Sequence, residues 1–245
     1  MKTAIYDALR RCLASNELVA LATTLDRGDQ MLLWPDGRTL DSLGDEPLDT
    51  AARALADEQW LSFGGRRETI STHRGEVELF VEIHAPPPRL VIVGAVHAAV
   101  ALVHMANVVG FETIVVDPRT AFATTERFAH ADHLLHDWPD EALEAIGVDA
   151  NTFVALLSHD LKLDIPALRV ALPKARYIGA LGSKKTHDKR LRALADAGLD
   201  DASAARIHNP IGLDLGGRRA EEIAVSVLAE IVAVAHGRDA RPIPT

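Results

Sequence analysis

The chain has 245 residues, 48% of them hydrophobic and 25% charged, which is material for one large or two small domains around buried cores. A net charge of −9 argues against general nucleic-acid binding, so an anionic ligand must be met by a local basic patch. One cysteine, Cys12, excludes a disulfide within the chain and a cysteine-clustered metal site. The longest apolar stretch, from Leu90 to Val109, is broken by His97, His104 and Asn107 and is no membrane span. No basic stretch followed by an apolar run opens the chain, and a cytoplasmic location is the expectation.

Residues 1–85 read as a small α+β domain. Thr3 to Ser15 is an amphipathic helix in which Ile5, Leu9, Cys12 and Leu13 share a face, so Cys12 is expected to pack inward. Glu17 to Leu25 and Gln30 to Trp34 read as strands, with a Pro35-Asp36-Gly37 turn after the second. A helix is expected over Leu48 to Asp57, with Pro47 near its first turn. Strands follow at Leu61 to Phe63, Arg67 to Thr72 and Glu76 to His84, the last with Val77, Leu79, Val81 and Ile83 on one face. Ala85-Pro86-Pro87-Pro88 is a stiff connector and marks the domain boundary, leaving 86–245 as the second domain.

That second domain opens on Arg89 to Asp117. Leu90 to Val93 suits a strand buried on both faces, and Gly94 lets the backbone turn sharply. A helix follows, ended by Gly110, and then a strand from Thr113 to Val116. Asp117 lies 23 residues after Gly94, near the roughly 20-residue spacing at which Rossmann-type folds place a carboxylate on a ribose hydroxyl. The glycine fingerprint is incomplete, because Gly94, Val96 and Ala99 occupy its three positions. Two readings of the turn stay open: it cradles a phosphate, as for NAD(P), or it is purely architectural.

The βα rhythm continues through a strand at His133 to Leu135 and a helix to Ile146 for which Asp137 is the expected cap. Thr152 to Leu157 is the next buried strand and runs into Ser158-His159-Asp160. Asp164 is expected to cap the helix after it, with Pro166 in the first turn. Arg176 to Ile178 is a strand that leads through Gly179 and Gly182 to Ser183, the expected cap of a helix running to Ala197. Lys184, Lys185, Lys189, Arg190 and Arg192 crowd that helix with five cations; it reads either as a phosphate site or as a solvated basic face. Ile207 to Asp214 reads as a rigid loop, and the last helix, from Ala220, carries a stripe of Ile223, Val227, Leu228, Ile231 and Ala235 suited to core or to a homodimer seam. The tail from Arg238 is expected to be loose.

The whole is therefore an α/β chain: a doubly wound parallel sheet preceded by a small α+β domain. Ligands of such sheets bind beyond the carboxyl ends of the strands, where the polar clusters fall. His159 beside Asp160 suits proton transfer or a structural pair. His130, His133 and His136 do not converge as metal ligands if the second and third lie on a strand.

The runs YIGALGSKKTHDKRLRAL and IHNPIGLDLGGRRAEEIAVSVLAEIVA, with SHDLKLDIPAL and VVDPRTAFAT, resemble the xanthine dehydrogenase accessory factor family, also called XdhC/CoxI. The resemblance covers about Arg89 to Gly237. It implies a chaperone, rather than a turnover enzyme, that binds molybdenum cofactor as molybdopterin or a dinucleotide form. Its partner would be an apo molybdenum hydroxylase such as xanthine or carbon monoxide dehydrogenase, with a cysteine desulfurase as a further partner. The strand-end positions then form the candidate cofactor-binding set. Gly182, Ser183 and Lys184 would hold the phosphate, and Gly179, Lys185 and His187 belong to the same cofactor-binding set. Asp117 and Arg119 would meet a ribose or pterin edge beside Gly94, Ala95 and His97, while His159, Asp160, Pro210 and Gly212 close the far side.

Two departures from the family pattern stand out. The Gly-Gly-Cys stretch usual in the N-terminal domain is replaced by Ser42-Leu43-Gly44-Asp45-Glu46, and Val96 stands where glycine is common. One rival reading, an NAD(P)-dependent oxidoreductase, accounts for the βαβ unit, yet no Tyr-x-x-x-Lys pair is present; the other is a nucleotide-binding scaffold without turnover.

Overall fold

The computed structural model describes residues 2–60, 64–73 and 75–240. The strand expected at Leu61 to Phe63 and the last five residues of the tail lie outside the described residues. The chain forms two compact units that divide within the proline connector, one up to Pro86 and one from Pro87.

In the first unit, α1 (Thr3–Ala14) precedes β1 (Val19–Thr24), β2 (Gln30–Leu33), β3 (Thr39–Leu40), α2 (Glu46–Asp57), β4 (Gly64–Thr72) and β5 (Gly75–His84). The strands form an antiparallel sheet in the order β3-β2-β1-β5-β4. Period-two alternation sorts its side chains. Ala20, Ala22, Leu33 and the Val77, Leu79, Val81, Ile83 row pack with Leu48, Ala52 and Leu55 of α2. Val19, Leu21, Leu32 and Trp34 pack on the other face with Ile5, Leu9 and Cys12 of α1. The two-residue β3 has no counterpart in the sequence reading, being too short to show a period.

The second unit runs β6 (Arg89–Val93), α3 (His97–Val109), β7 (Glu112–Val116), β8 (His133–Leu135), α4 (Pro139–Ile146), β9 (Thr152–Leu156), α5 (Leu161–Ala171), β10 (Tyr177–Ala180), α6 (Lys184–Asp196), the single-turn α7 (Asp201–Ala204), β11 (Ile207–His208) and α8 (Ala220–Ala235). Its six strands are parallel in the order β8-β7-β6-β9-β10-β11, which is the 3-2-1-4-5-6 Rossmann order. Val91, Val93, Val116, Val154, Leu156 and Ile178 face a core shared with α4, α5 and α6. On the other face α3 and α8 pack together, and Val227, Leu228, Ile231 and Ala235 are buried, so the stripe of α8 is core. No described helix is long and apolar enough to cross a membrane.

Two helix caps differ from the sequence expectation, and α2 starts two residues earlier, at Glu46. Trp138, not Asp137, is the N-cap of α4, and no side chain caps it. Helix α5 starts at Leu161 with Asp160 as cap, its Oδ1 accepting from the Lys162 N–H at 2.9 Å, so Pro166 falls inside the helix and Asp164 is freed for another task. The last connection also differs, since the stretch expected as loop contains Ile207–His208, which pairs with β10 and completes the sheet.

Candidate functional site

Parallel strands end on one edge, and here the ladder continues level past the tips. Ile211 N–H donates to the Ala180 carbonyl, Leu181 to Leu156, Leu157 to Val93, Gly94 to Val116 and Asp117 to Leu135. Gly94, Asp117, Ser158, Gly182 and Ile211 therefore lie along one edge of the sheet, at the carboxyl ends of the strands. The topological switch point lies between β6 and β9, and the β10 tip stands two strands from the β6 tip, roughly 10 Å at ordinary strand spacing.

The β6 turn is closed. Gly94 has φ +108, and a Cβ there would lie 2.8 Å from the Ser158 amide nitrogen, so only glycine fits between the two tips. The Ala95 N–H donates to Asp117 Oδ2 at 2.8 Å, its carbonyl accepts from Arg127 at 3.0 Å, and the Val96 N–H turns back to the Gly94 carbonyl. These donors are spent inside the protein, which makes the turn architectural. Ala95, buried, is thereby corrected from ligand contact to scaffold. Gly94→Ala is expected to cost about 1–3 kcal/mol in backbone strain alone, with the contact to Ser158 added; an unchanged urea midpoint would refute this account of the turn.

Asp117 is fully buried. Burial alone would push its carboxyl up, but hydrogen bonds from Arg119, Ala95 N–H and Arg119 N–H outweigh it and hold the group below the ordinary carboxylate value. Arg119 remains partly exposed, its guanidinium 4.9 Å from the Phe122 ring centroid. At the neighbouring tips His97 and His159 are exposed, and the Asp160 charge reaches Arg119.

At the β10 tip Ser183 caps α6, its Oγ accepting from the Thr186 N–H at 3.4 Å. Lys184, Lys185, Lys189 and Arg192 line the solvent side of the helix. Arg190 is not part of that patch. It is fully buried and pairs with buried Asp164 at 2.7 Å, while Ser158 donates to the other Asp164 oxygen at 2.6 Å. Arg190 also donates to the Leu181 carbonyl at 3.1 Å and to Asn209 Oδ1 at 3.3 Å. One guanidinium thus ties the ends of β9, β10 and β11 together through a carboxylate that burial pushes upward and Ser158 and Arg190 hold back. Arg190 and Leu194, one helical turn apart, are the buried residues of α6, and that shared face was the sequence signal for it.

Three other expected ligand contacts have internal roles. Gly179 lies within β10, where any Cβ would strike Ile211 and the Tyr177 hydroxyl. Gly212 donates its N–H to Glu230 at 2.8 Å, and a Cβ there would meet Ser226 Oγ at 2.5 Å. His187 turns to a separate cavity of about 350 Å³ with Leu191, Ala195, Leu199 and Ile207; burial, then the Arg190 charge, lowers its pKa. Sequence reasoning misses the group around Glu230, which accepts from Tyr177, from His208 at 3.0 Å and from Gly212, pinning the loop after β11 to α8. Beyond Pro210 that loop borders a cavity of about 490 Å³ lined by Leu181, Ile211, Leu213, Arg218, Ile223 and Ser226.

Elsewhere, His130 stacks on His104 and His133 pairs with Glu112, and no group of three or more ligating side chains among the described residues could hold a metal. Cys12 is buried on the sheet-facing side of α1, and burial pushes its thiol up. The segment replacing Gly-Gly-Cys is the turn into α2, with Asp45 at the N-cap position and Asp49 accepting from Ser42 and from the Leu43 N–H.

Together these features define a Rossmann-type domain with exposed cations, Lys184 and Lys185, at the β10 tip and a partly exposed Arg119 at the β7 tip. The chain belongs to the XdhC family: residues 90–231 match the XdhC Rossmann domain. It is 29% identical over 217 residues to the uncharacterised protein YqeB of Escherichia coli K12, covering 84% of this chain and 40% of that one. It is 27% identical over 228 residues to a probable xanthine dehydrogenase subunit of Bacillus subtilis 168, covering 93% and 64%, and 32% identical over 150 residues to the molybdenum cofactor insertion chaperone PaoD of E. coli K12, covering 61% and 41%. The chain thus spans about half the length of these relatives. A crystal structure of a xanthine dehydrogenase from Bacillus halodurans shares the fold, with a TM-score of 0.55 and 21% identity over 97% of both chains.

Proposed function

We propose that this protein is a chaperone that carries molybdenum cofactor, as molybdopterin or a dinucleotide form, and hands it to an apo molybdenum hydroxylase of the xanthine or carbon monoxide dehydrogenase type. The observation that carries this is the Ser183-capped start of α6, with exposed Lys184 and Lys185, set level with the switch-point tips in a chain of the XdhC family. The name of PaoD, an insertion chaperone, supports the same reading.

The cargo has a terminal phosphate and a polar pterin, and the crevice suits both. Ser183, Lys184 and the first-turn N–H groups of α6 meet the phosphate. His97, Arg119 and His159 offer polar groups along the same edge. The buried Arg190–Asp164 pair holds the tips at fixed separation, and the loop pinned by Glu230 walls the far side. Co-expression with an active cofactor pathway, followed by oxidation of the purified protein, is expected to release about one fluorescent pterin per chain. Absence of pterin, together with failure to activate an apo hydroxylase, would overturn the carrier reading.

A further inference from the structure

The first unit carries a cavity of its own, of about 540 Å³, where the last turns of α1 meet Trp34, just after β2, and the short strand β3. Its size is that of a small-molecule site. Arg11, Cys12, Glu17, Trp34, Arg38 and Leu40 line it, and the carrier reading uses none of them. Two of its donors are unspent. Trp34 is 7% exposed, and its indole N–H is buried with no hydrogen-bond partner among the described residues. The Cys12 sulfur, a weak acceptor, is the polar atom beside it. A buried donor in that state opposes folding, which is why such groups nearly always have partners. Arg11 stands at the exposed rim, and its guanidinium makes no ion pair or hydrogen bond with a described residue, not even with Asp7 one turn back on α1.

The acceptors on the wall are already engaged. Glu17 is the one carboxylate among the lining residues; its Oε1 accepts from Arg38 Nη2 at 2.8 Å and its Oε2 from the Cys12 thiol at 3.5 Å. The bond from Arg38 holds Glu17 below the ordinary carboxylate value. Asp36, which takes Arg38 Nε at 2.6 Å, does not line the cavity. The carbonyls that end α1 are met too, Arg11 O by the Ser15 hydroxyl and Cys12 O by the Glu17 N–H at 2.8 Å. With Glu17 balanced by Arg38, the charge of Arg11 is left over. Leu40 and the Trp34 ring, with Arg38 5.0 Å from its centroid, supply an apolar bed beside that charge.

An unpaired cation, an unmet N–H and an apolar bed around one small cavity select a ligand with a single anionic acceptor and an apolar body. We propose that this cavity binds a small organic monocarboxylate, whose oxygens accept from Arg11 and from the Trp34 N–H while its body lies against Leu40 and the indole. The site is separate from the strand tips of the second unit and stands whether or not those tips bind a pterin.

Calorimetric titration of the full chain with phenylacetate and with phenylacetamide, its uncharged isostere, is the test. Phenylacetate is expected to bind with a Kd below about 1 mM and at least about tenfold tighter than the amide, the difference a charge-assisted bond makes. Arg11→Gln, at an exposed position that folding does not depend on, should erase that preference while leaving the amide within about twofold, and Arg11→Lys should restore part of it. Trp34→Phe keeps an aromatic ring and removes the N–H that the acid and the amide carbonyl both use, so it should weaken both probes by a similar factor, with circular dichroism confirming the fold. Equal affinity for the two probes, tighter binding of the amide, no heat from either up to about 10 mM, or a preference that survives Arg11→Gln would each overturn the proposal.

Discussion

Arg190→Ala is expected to destabilise the Rossmann unit by about 3–5 kcal/mol, the range for removing one partner of a buried ion pair. Asp164 would be left as an uncompensated buried charge, the Leu181 carbonyl and Asn209 would lose their donor, and Ser158 would remain bonded to a carboxyl that burial drives toward its neutral form. The damage extends to binding, since Leu181 leads directly into Gly182-Ser183 and Asn209 into the loop after β11. Replacing both partners at once, Asp164→Leu with Arg190→Met, is expected to recover most of the stability because no charge is then stranded. Urea unfolding followed by circular dichroism measures both. A single variant as stable as the parent would show that the pair contributes nothing to the sheet edge.

Ser183→Ala combined with Lys184→Ala is expected to weaken retention of the phosphate-bearing cargo by about tenfold to 150-fold, from the roughly 1.5–3 kcal/mol of a charged hydrogen bond. The cap itself contributes about 1 kcal/mol to α6, so the double variant remains folded. Lys189→Ala, further along the exposed face, serves as the comparison and should leave retention within about twofold, as a screened surface charge does. Pterin released per chain reads both outcomes. If the double variant kept its full load, the phosphate would have to lie elsewhere in the crevice.

The legible part of this fold follows from patterns that are complete within a few residues. Leu90 to Val93, Gly94 and the distance to Asp117 announce the strand, the turn and the second strand tip, and the structure has all three. Ser183 is readable as a cap because a cap needs only its own helix. The cap of α5 is ambiguous in sequence because Asp160 and Asp164 are both plausible by type, and Pro166 points to the wrong one. β11 escapes detection because two residues have no period; only a neighbouring strand makes them a strand.

The candidate site is half legible for a related reason. Residue type marks the strand tips, but not which donors and acceptors there are already spent. Asp117 looks like an open acceptor until Arg119 and Ala95 fill it, and Arg190 looks like one more surface cation until Asp164 is found beneath it. Glu230 lies 53 residues from Tyr177, 22 from His208 and 18 from Gly212, a grouping no local window contains.

By itself, then, the sequence determined the two-part organisation, the alternation of strand and helix, and the family. Those depend on local periodicity and on motifs contiguous in the chain. Only the tertiary structure decided which polar groups stay open to solvent and which hold the protein together. Hydrogen-bond capacity is finite, and whether a carboxylate or guanidinium has any left depends on neighbours that the fold, not the chain order, brings within about 3 Å.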